Sequence, residues 1–368
     1  MLRKNRRIFR CLALACLIIL FLSACSPKKV SEDSTQEPEK ATFHQIDGSK
    51  EMVQKIVGWL DNQTILVHLG DQKKQALIKL NVVTGDQELI YETNQHMLTI
   101  QLNTSLEKII VQEGAETAVD LVLLSSKGSE LNRMPIDYAG YVNLDWNAVD
   151  ESLVFISHYQ FDQETEIESS KVMIWNLTDN SLIDFDLDAI KPSWYSSHLY
   201  LYINEFDGNL YVGDTRSEEG DQMISNETID FYLHKDTFIS LEESDINESQ
   251  VHLMKDHPFL VHQGVLTIPK VIRGDFITKP FLSQSKRDGL VVGVIADESV
   301  DLNNELGQFS LCLLDFDYNK LEKYTQLPDN APILLSPDEQ YVLYGWQLEY
   351  IIDLDEPNEL FPLISDPA

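Results

Sequence analysis

The sequence predicts an all-β chain folded as a single β-propeller of four-stranded blades. Three observations carry this: short apolar runs rich in β-branched and aromatic residues, tight polar turns between them, and recurrence of the unit every 39 to 52 residues. The clearest copy lies near the C-terminal end. There Ile333-Leu334-Leu335 is followed by the turn Ser336-Pro337-Asp338, then Tyr341-Val342-Leu343-Tyr344 and, after a polar break, Tyr350-Ile351-Ile352-Asp353. One such sheet cannot bury both of its faces, so it must stack on copies of itself.

The copies follow in chain order. Val57-Gly58-Trp59-Leu60 opens the first, with strands Thr64 to His68, Ala76 to Asn81 and Gln87 to Tyr91 and a turn at Thr84-Gly85-Asp86. Leu98 to Leu102 opens the second, continued by Lys108 to Gln112, Asp120 to Leu124 and Leu131 to Ile136. Val142 to Trp146 opens the third, with Leu153 to Ser157, Val172 to Leu177 and Ser181 to Asp186. Pro192-Ser193-Trp194 opens the fourth, with Leu199 to Asn204, a turn at Asp207-Gly208, and Asn209 to Gly213. A less regular fifth runs from Thr228 to Ile268, and a sixth comprises Phe281 to Ser283, Leu290 to Ile295, Phe309 to Asp315 and Leu321 to Leu327.

Landmarks ending the inner strands fall at Trp59, Leu102, Trp146, Trp194, Leu233, Ser283 and Leu335, at the spacing of roughly 40–50 residues expected of a propeller blade. This spacing favours seven blades; if Pro192 to Asp275 is one elaborated blade, the count is six. Thr42 to Ile46 is expected to add an edge strand. A pair of β-sandwiches is the structural competitor, and the even spacing argues against it.

Composition bounds the function. The 368 residues are 43% hydrophobic, enough for a sizeable core, and Lys+Arg of 28 against Asp+Glu of 60 gives a net charge of −32. Five of the basic residues lie in the first ten positions, so the remainder is more acidic still. A surface of this sign repels nucleic acid and anionic lipid headgroups, which excludes nucleic acid as an expected partner. Of the four cysteines, Cys11, Cys16 and Cys25 belong to the N-terminal stretch; Cys312 stands alone in an apolar run and reads as a small buried strand residue.

Residues 1 to 24 form a basic head, an apolar stretch from Cys11 to Leu22 and the small residues Ser23 and Ala24, directly before Cys25. The apolar stretch is short for a membrane span. Leu22-Ser23-Ala24-Cys25 resembles the lipobox of bacterial lipoproteins, which implies a lipoprotein signal peptide cleaved after Ala24. It also implies acylation of Cys25, palmitate-type chains in the membrane, and a mature protein on the extracytoplasmic face of the cell membrane. Residues 25 to 42 are polar without a periodic apolar face and read as a disordered tether. At roughly 5–6 Å × √n its reach is on the order of 20–25 Å. Residues 43 to 368 are the propeller.

Ser336-Pro337-Asp338 resembles the inter-strand turn of TolB-type propeller repeats. Only the last unit carries it, whereas Trp59, Trp146 and Trp194 occur without it. With the lipobox, the tether and Gly58-Trp59-Leu60-Asp61 near the propeller's start, the whole chain resembles the YqgU-like propeller lipoproteins of Gram-positive bacteria. That resemblance implies no reaction and no site residues.

No catalytic signature is present: there is no His-Glu-x-x-His, no Gly-x-Ser-x-Gly elbow, no P-loop and no dinucleotide fingerprint. His252, His257 and His262 cluster in sequence but lack supporting cysteines or ordered carboxylates, so they read as loop histidines. Asp297 to Glu305 is acidic but lacks the EF-hand pattern and reads as a solvated loop. The matched positions of Trp59, Trp146 and Trp194 suggest packing between blades over sugar stacking.

The expectation is therefore a membrane-anchored lipoprotein whose propeller is a non-catalytic interaction or ligand-sensing module. It would need no cofactor, and its partner would be an envelope protein or polymer besides the membrane lipid reached through Cys25. The alternative is an extracytoplasmic hydrolase or lyase acting on a glycan or peptide at the propeller mouth, with channel carboxylates as acid and base. A cation-binding lipoprotein is a third reading.

Overall fold

In a computed structural model the described residues are 42–46, 52–103, 105, 107–115, 118–162, 167–189, 191–217, 219–234, 237–256, 261–285 and 289–364. The signal peptide, Cys25, nearly all of the tether and His257 lie outside them.

Seven four-stranded sheets follow one another along the chain. Sheet 1 is β1 (Val53–Trp59), β2 (Thr64–Gly70), β3 (Gln75–Asn81) and β4 (Gln87–Thr93). Sheet 2 is β5 (His96–Asn103), β6 (Lys108–Ala115), β7 (Ala118–Ser125) and β8 (Glu130–Ile136). Sheet 3 is β9 (Asn143–Trp146), β10 (Leu153–Asp162), β11 (Ile167–Asn176) and β12 (Ser181–Phe185). Sheet 4 is β13 (Ser193–Trp194), β14 (Leu199–Ile203), β15 (Leu210–Asp214) and β16 (Gln222–Ser225). Sheet 5 is β17 (Thr228–His234), β18 (Thr237–Glu243), β19 (Gln250–Asp256) and β20 (His262–Pro269). The short β21 (Val271–Arg273) and β22 (Phe276–Ile277) come next, before β23 (Leu282–Gln284), β24 (Val291–Ala296) and β25 (Val300–Asp301). With β26 (Phe309–Asp315) and β27 (Lys320–Leu327), β23 and β24 complete sheet 6, while β25 pairs in parallel with β21 in a three-stranded side sheet. Sheet 7 is β28 (Ile333–Leu335), β29 (Tyr341–Tyr344), β30 (Tyr350–Asp353) and β31 (Leu360–Pro362).

Burial explains why the strands read as they do. Where a second or third strand is covered on both faces by neighbouring sheets it is apolar along its length: β24, Val-Val-Gly-Val-Ile-Ala, is buried throughout. Fourth strands face solvent on one side and at a free edge. They carry Lys, Glu and Gln instead, as in β4 and β27, and such side chains discourage pairing with another chain.

Each sheet packs on the next. Leu66 and Leu77 of sheet 1 meet Ile109 and Val122 of sheet 2, and Trp146 and Trp175 of sheet 3 meet Ile110 and Leu121 of sheet 2. Trp194 of sheet 4 stacks on Phe155 of sheet 3 with ring centroids 4.0 Å apart. Phe231 and Phe238 pack on sheet 4, Leu253 and Leu266 on sheet 6, and Val342 and Tyr344 of sheet 7 share a core with Val292 and Leu311 of sheet 6.

Sheet 7 then returns to sheet 1. Trp59 stacks on Tyr341, and its indole N–H donates to the Leu334 carbonyl at 3.0 Å. The tryptophans at matched positions are thus buried between sheets. Cys312 is a free, buried thiol in β26.

One expectation is corrected. Thr42 to Ile46 is not an edge strand: His44 N–H donates to Val82 O and Ile46 N–H to Leu363 O, so the segment straddles sheets 1 and 7 without following either ladder. Residues Pro192 to Asp275 hold the four-stranded sheets 4 and 5 and the short β21. The side sheet β21, β22 and β25 was not foreseen, since strands of two or three residues leave no periodic signal.

Candidate functional site

Strand order defines two faces. Turns joining first to second and third to fourth strands lie on one, the turn face; loops joining second to third strands, and the connections between sheets, lie on the other, the loop face. The first strands surround a central channel.

At the turn end of the channel is a cavity of about 430 Å³, walled by β1, β5, β17, β23 and β28. Val57, Ile100, Leu102 and Leu334 make it largely apolar. Gln101 Oε1 and Gln284 Oε1 face it without a hydrogen-bond partner, although Gln284 Nε2 donates to Thr237 Oγ1 at 2.8 Å. Ser336, at its rim, donates to Asp338 Oδ1 at 2.7 Å and accepts the Tyr341 N–H at 3.0 Å, so its hydroxyl closes the Ser-Pro-Asp turn. Among the described residues no carboxylate lines this cavity.

At the loop end is a cleft of about 200 Å³ between sheets 3 and 4, lined by Asn143, Asp145, Phe155, Ser157, Lys191 and Ser193 among others. Asp145 lies on the inner strand β9, and its Oδ2 accepts the Trp194 N–H at 2.8 Å. Although its side chain reaches the cleft, burial pushes the carboxyl up to about 7 from an ordinary 3.8, the hydrogen bond opposing this only in part. Lys191 and Ser193 also line an adjoining groove of about 440 Å³, with Tyr159, Asn204, Glu205, Asp230 and Lys279. The Lys279 ammonium donates to Asp230 Oδ1 at 2.8 Å and to the Phe231 carbonyl at 2.7 Å, which neutralises that wall.

The cleft and groove therefore offer hydroxyls, amides, Lys191, the paired Lys279 and Asp230, Glu205, the Asp145 carboxyl with its raised pKa, and the half-exposed ring of Tyr159. Such a lining suits hydrogen bonding to a polar ligand. Asp145 is the carboxylate of the cleft itself, with Glu205 and Asp230 in the groove beyond.

Sequence reasoning did not single out Asp145, Lys191 or Lys279. The usable signal was an aspartate inside an inner strand, directly before Trp146, where a charge has no solvent to face.

The residues that were singled out are placed elsewhere. His252 Nδ1 is 3.0 Å from Thr267 Oγ1 and His262 Nδ1 is 3.1 Å from Asp256 Oδ1, in β19 and β20 of sheet 5. Among the described residues no group of three His, Cys, Asp or Glu is arranged to hold a metal. In the acidic stretch, Asp301 accepts the Asn303 N–H at 2.9 Å and Asp297 accepts from Ser310 at 2.5 Å, so both carboxylates organise their own loop. Gly85 and Gly208 take φ of 78° and 71°, as turn glycines do.

The protein is 23% identical over 366 residues to the uncharacterized lipoprotein YqgU of Bacillus subtilis (strain 168), covering 97% of each chain. Its fold matches a 1.18 Å crystal structure of the uncharacterized protein lmo1340 from Listeria monocytogenes EGD-e, with TM-score 0.79 and 17% identity, over 89% of this chain and 98% of that one. An oligogalacturonate lyase from Vibrio parahaemolyticus shares the fold at TM-score 0.56 and 14% identity, over 83% of this chain and 88% of that one. A family model described as a YqgU-like six-bladed beta propeller domain matches residues 81–345. That span takes in sheets 2 to 6 whole, with β4 before them and β28 and β29 after. The chain belongs to the YqgU-like β-propeller domain family.

Proposed function

We propose that this protein is an extracytoplasmic lipoprotein, held at the membrane through acylated Cys25, whose propeller is a non-catalytic binding module. In this reading its seven four-stranded sheets are seven blades, one more than the family description counts; the contact of Trp59 with Tyr341 and Leu334 supports closure between first and last. The lipobox spacing and the name of the Bacillus subtilis relative support the anchor. Cys25→Ser moves the protein from the membrane fraction to the soluble fraction if the anchor is real, because stable attachment needs acyl chains.

One observation carries the binding role: the Asp145 cleft and the Tyr159 groove form a continuous polar trough at the channel's loop end, on a rigid scaffold. With Lys279 paired to Asp230 and Lys191 set against Glu205, the trough is close to neutral and carries the hydroxyls of Tyr159, Ser157 and Ser193 and the amides of Asn143 and Asn204. That chemistry fits a hydroxyl-rich envelope polymer. The test is co-sedimentation of the lipidated full chain with purified envelope polymer. Wild type is retained, and Lys191→Ala and Tyr159→Ala each weaken retention about tenfold. No retention of wild type, together with no specific protein or polymer captured from solubilised membranes, overturns the reading.

A second reading, a hydrolase or lyase acting on a glycan or peptide, is favoured by Asp145 itself, whose carboxyl near 7 is poised as a general acid. Release of soluble fragments from the polymer by wild type but not by Asp145→Asn would establish that reading in place of the first.

A further inference from the structure

Large apolar side chains are distributed unequally between the two faces. Among the described residues, the exposed ones in the turn-face loops are Val149, Val261 and Tyr318. On the loop face they occupy successive loops around sheets 4 to 7: Phe206 (84% exposed), Ile246 (96%), Phe276 (76%), Leu306 (91%) and Trp346 (53%). Tyr141 and Phe161 extend the same face over sheets 2 and 3. Isolated exposed apolar residues are ordinary, but a run of loop tips on one face is the pattern of an interaction surface.

The loops are held in place. Phe206 tops a turn in which Asn204 Oδ1 accepts the N–H groups of Phe206 and Asp207. Ile246 sits where Ser244 Oγ accepts the N–H groups of Ile246 and Asn247. Asn303 bridges to Gly274 in both directions, through its Oδ1 and its Nδ2, and so ties the loop bearing Leu306 to the hairpin bearing Phe276. The Trp346 indole donates to Asp329 Oδ2 at 2.8 Å, with Arg273 over its ring at 5.5 Å and Phe281 against its edge. Ordering these tips on binding therefore costs little additional entropy.

Each of the four outermost tips is flanked by acid. Phe206 lies between Glu205 and Asp207, Ile246 follows Asp245, Phe276 follows Asp275, and Leu306 follows Glu305. An anionic lipid surface is repelled by that arrangement, whereas a surface carrying both apolar and cationic side chains is complementary to it. We propose that the loop face over sheets 4 to 7 docks a second protein through a surface that is both apolar and basic. The docking face adjoins the polar trough, and Glu205 belongs to both.

Trp346 supplies the readout, because Trp59, Trp146, Trp175 and Trp194 are buried. The probes are a synthetic amphipathic Lys/Leu peptide, its Glu/Leu counterpart, and phosphatidylglycerol vesicles, each added to the lipidated full chain in phosphatidylcholine nanodiscs. The expected result is a blue shift and reduced acrylamide quenching of Trp346 with the Lys/Leu peptide alone. Affinity should fall at least tenfold in the Phe206→Ser, Ile246→Ser, Phe276→Ser, Leu306→Ser quadruple variant. It should fall comparably when Glu205, Asp245, Asp275 and Glu305 become the corresponding amides, and stay unchanged in a Val149→Ser, Val261→Ser, Tyr318→Ser variant of the turn face. Equal loss from the turn-face variant, or no loss from the quadruple, reduces the binding to unspecific charge attraction and overturns the proposal. A Trp346 shift with vesicles but not peptide makes the face a lipid-contacting one and also overturns it. Unfolding midpoints equal to wild type confirm that the variants report on docking.

Discussion

Asp145→Asn isolates the energetic cost of a carboxyl placed inside the channel. The amide keeps an oxygen to accept the Trp194 N–H at 2.8 Å, so the hydrogen bond and shape are retained while the titration is removed. The folded carboxyl titrates at about 7 and the unfolded one at 3.8. In that window the folded state binds the extra proton, so the wild-type protein loses stability as pH rises. At ~1.4 kcal/mol per tenfold change in ionisation constant, the loss between pH 5 and 8 is ~2.5 kcal/mol, and solvent reaching the cleft reduces it to ~1–2.5 kcal/mol. Burial holds His68 and His158 below their ordinary pKa, and these groups act in the opposite direction, stability rising with pH as the unfolded imidazoles lose their protons. The informative quantity is therefore the difference between wild type and variant. Equilibrium urea unfolding at pH 5, 6, 7 and 8 should show Asp145→Asn gaining on wild type between pH 5 and 7 and levelling off above, where the folded carboxyl is ionised too. Midpoints that remain parallel across the series would refute the burial that raises the pKa of the Asp145 carboxyl.

Trp59→Ala opens the contact between sheets 1 and 7 and should cost ~3–5 kcal/mol, whereas Trp59→Phe leaves chiefly the Leu334 carbonyl unpaired and costs ~1–2 kcal/mol; urea midpoints distinguish them. Gly128→Ala should destabilise by more than ~3 kcal/mol or prevent folding, since φ is 81° and the added Cβ would fall 1.6 Å from the Ile90 carbonyl oxygen, a backbone atom that cannot swing away. Cys312 should react with iodoacetamide only after unfolding, because burial covers the thiol and pushes its pKa up to about 11; mass spectrometry of native and urea-treated protein reads this directly. Ser336→Ala removes the hydroxyl that joins Asp338 to the Tyr341 N–H and should cost ~1 kcal/mol without affecting co-sedimentation with envelope polymer.

Much of the architecture was legible because a strand covered on both faces must be apolar along its whole length. Val292 to Ile295, Leu121 to Leu124 and Tyr341 to Tyr344 announce themselves in the sequence for that reason. The fourth strand of sheet 4, Gln222–Ser225, was not seen, because a solvent-facing outer strand requires little beyond extended backbone. Thr42 to Ile46 looked like a strand for its Phe43 and Ile46, yet those side chains are buried in the seam between sheets 7 and 1, where one backbone hydrogen bond to each side and the Gln45 amide on Pro362 O hold the segment.

The candidate site was far less legible than the fold. Asp145 and Lys191 are 46 residues apart and Asp230 and Lys279 are 49 apart, and none belongs to a motif. By itself the sequence determined the repeat, the turns, the burial of Cys312 and the expected address at Cys25, because each follows from local periodicity or from a few adjacent residues. Only the tertiary structure decided that Asp145 lies in the channel and that Phe206, Ile246, Phe276 and Leu306 share a face with acids beside them. Circular stacking sets those neighbours, bringing together loops whose spacing along the chain carries no mark of their meeting.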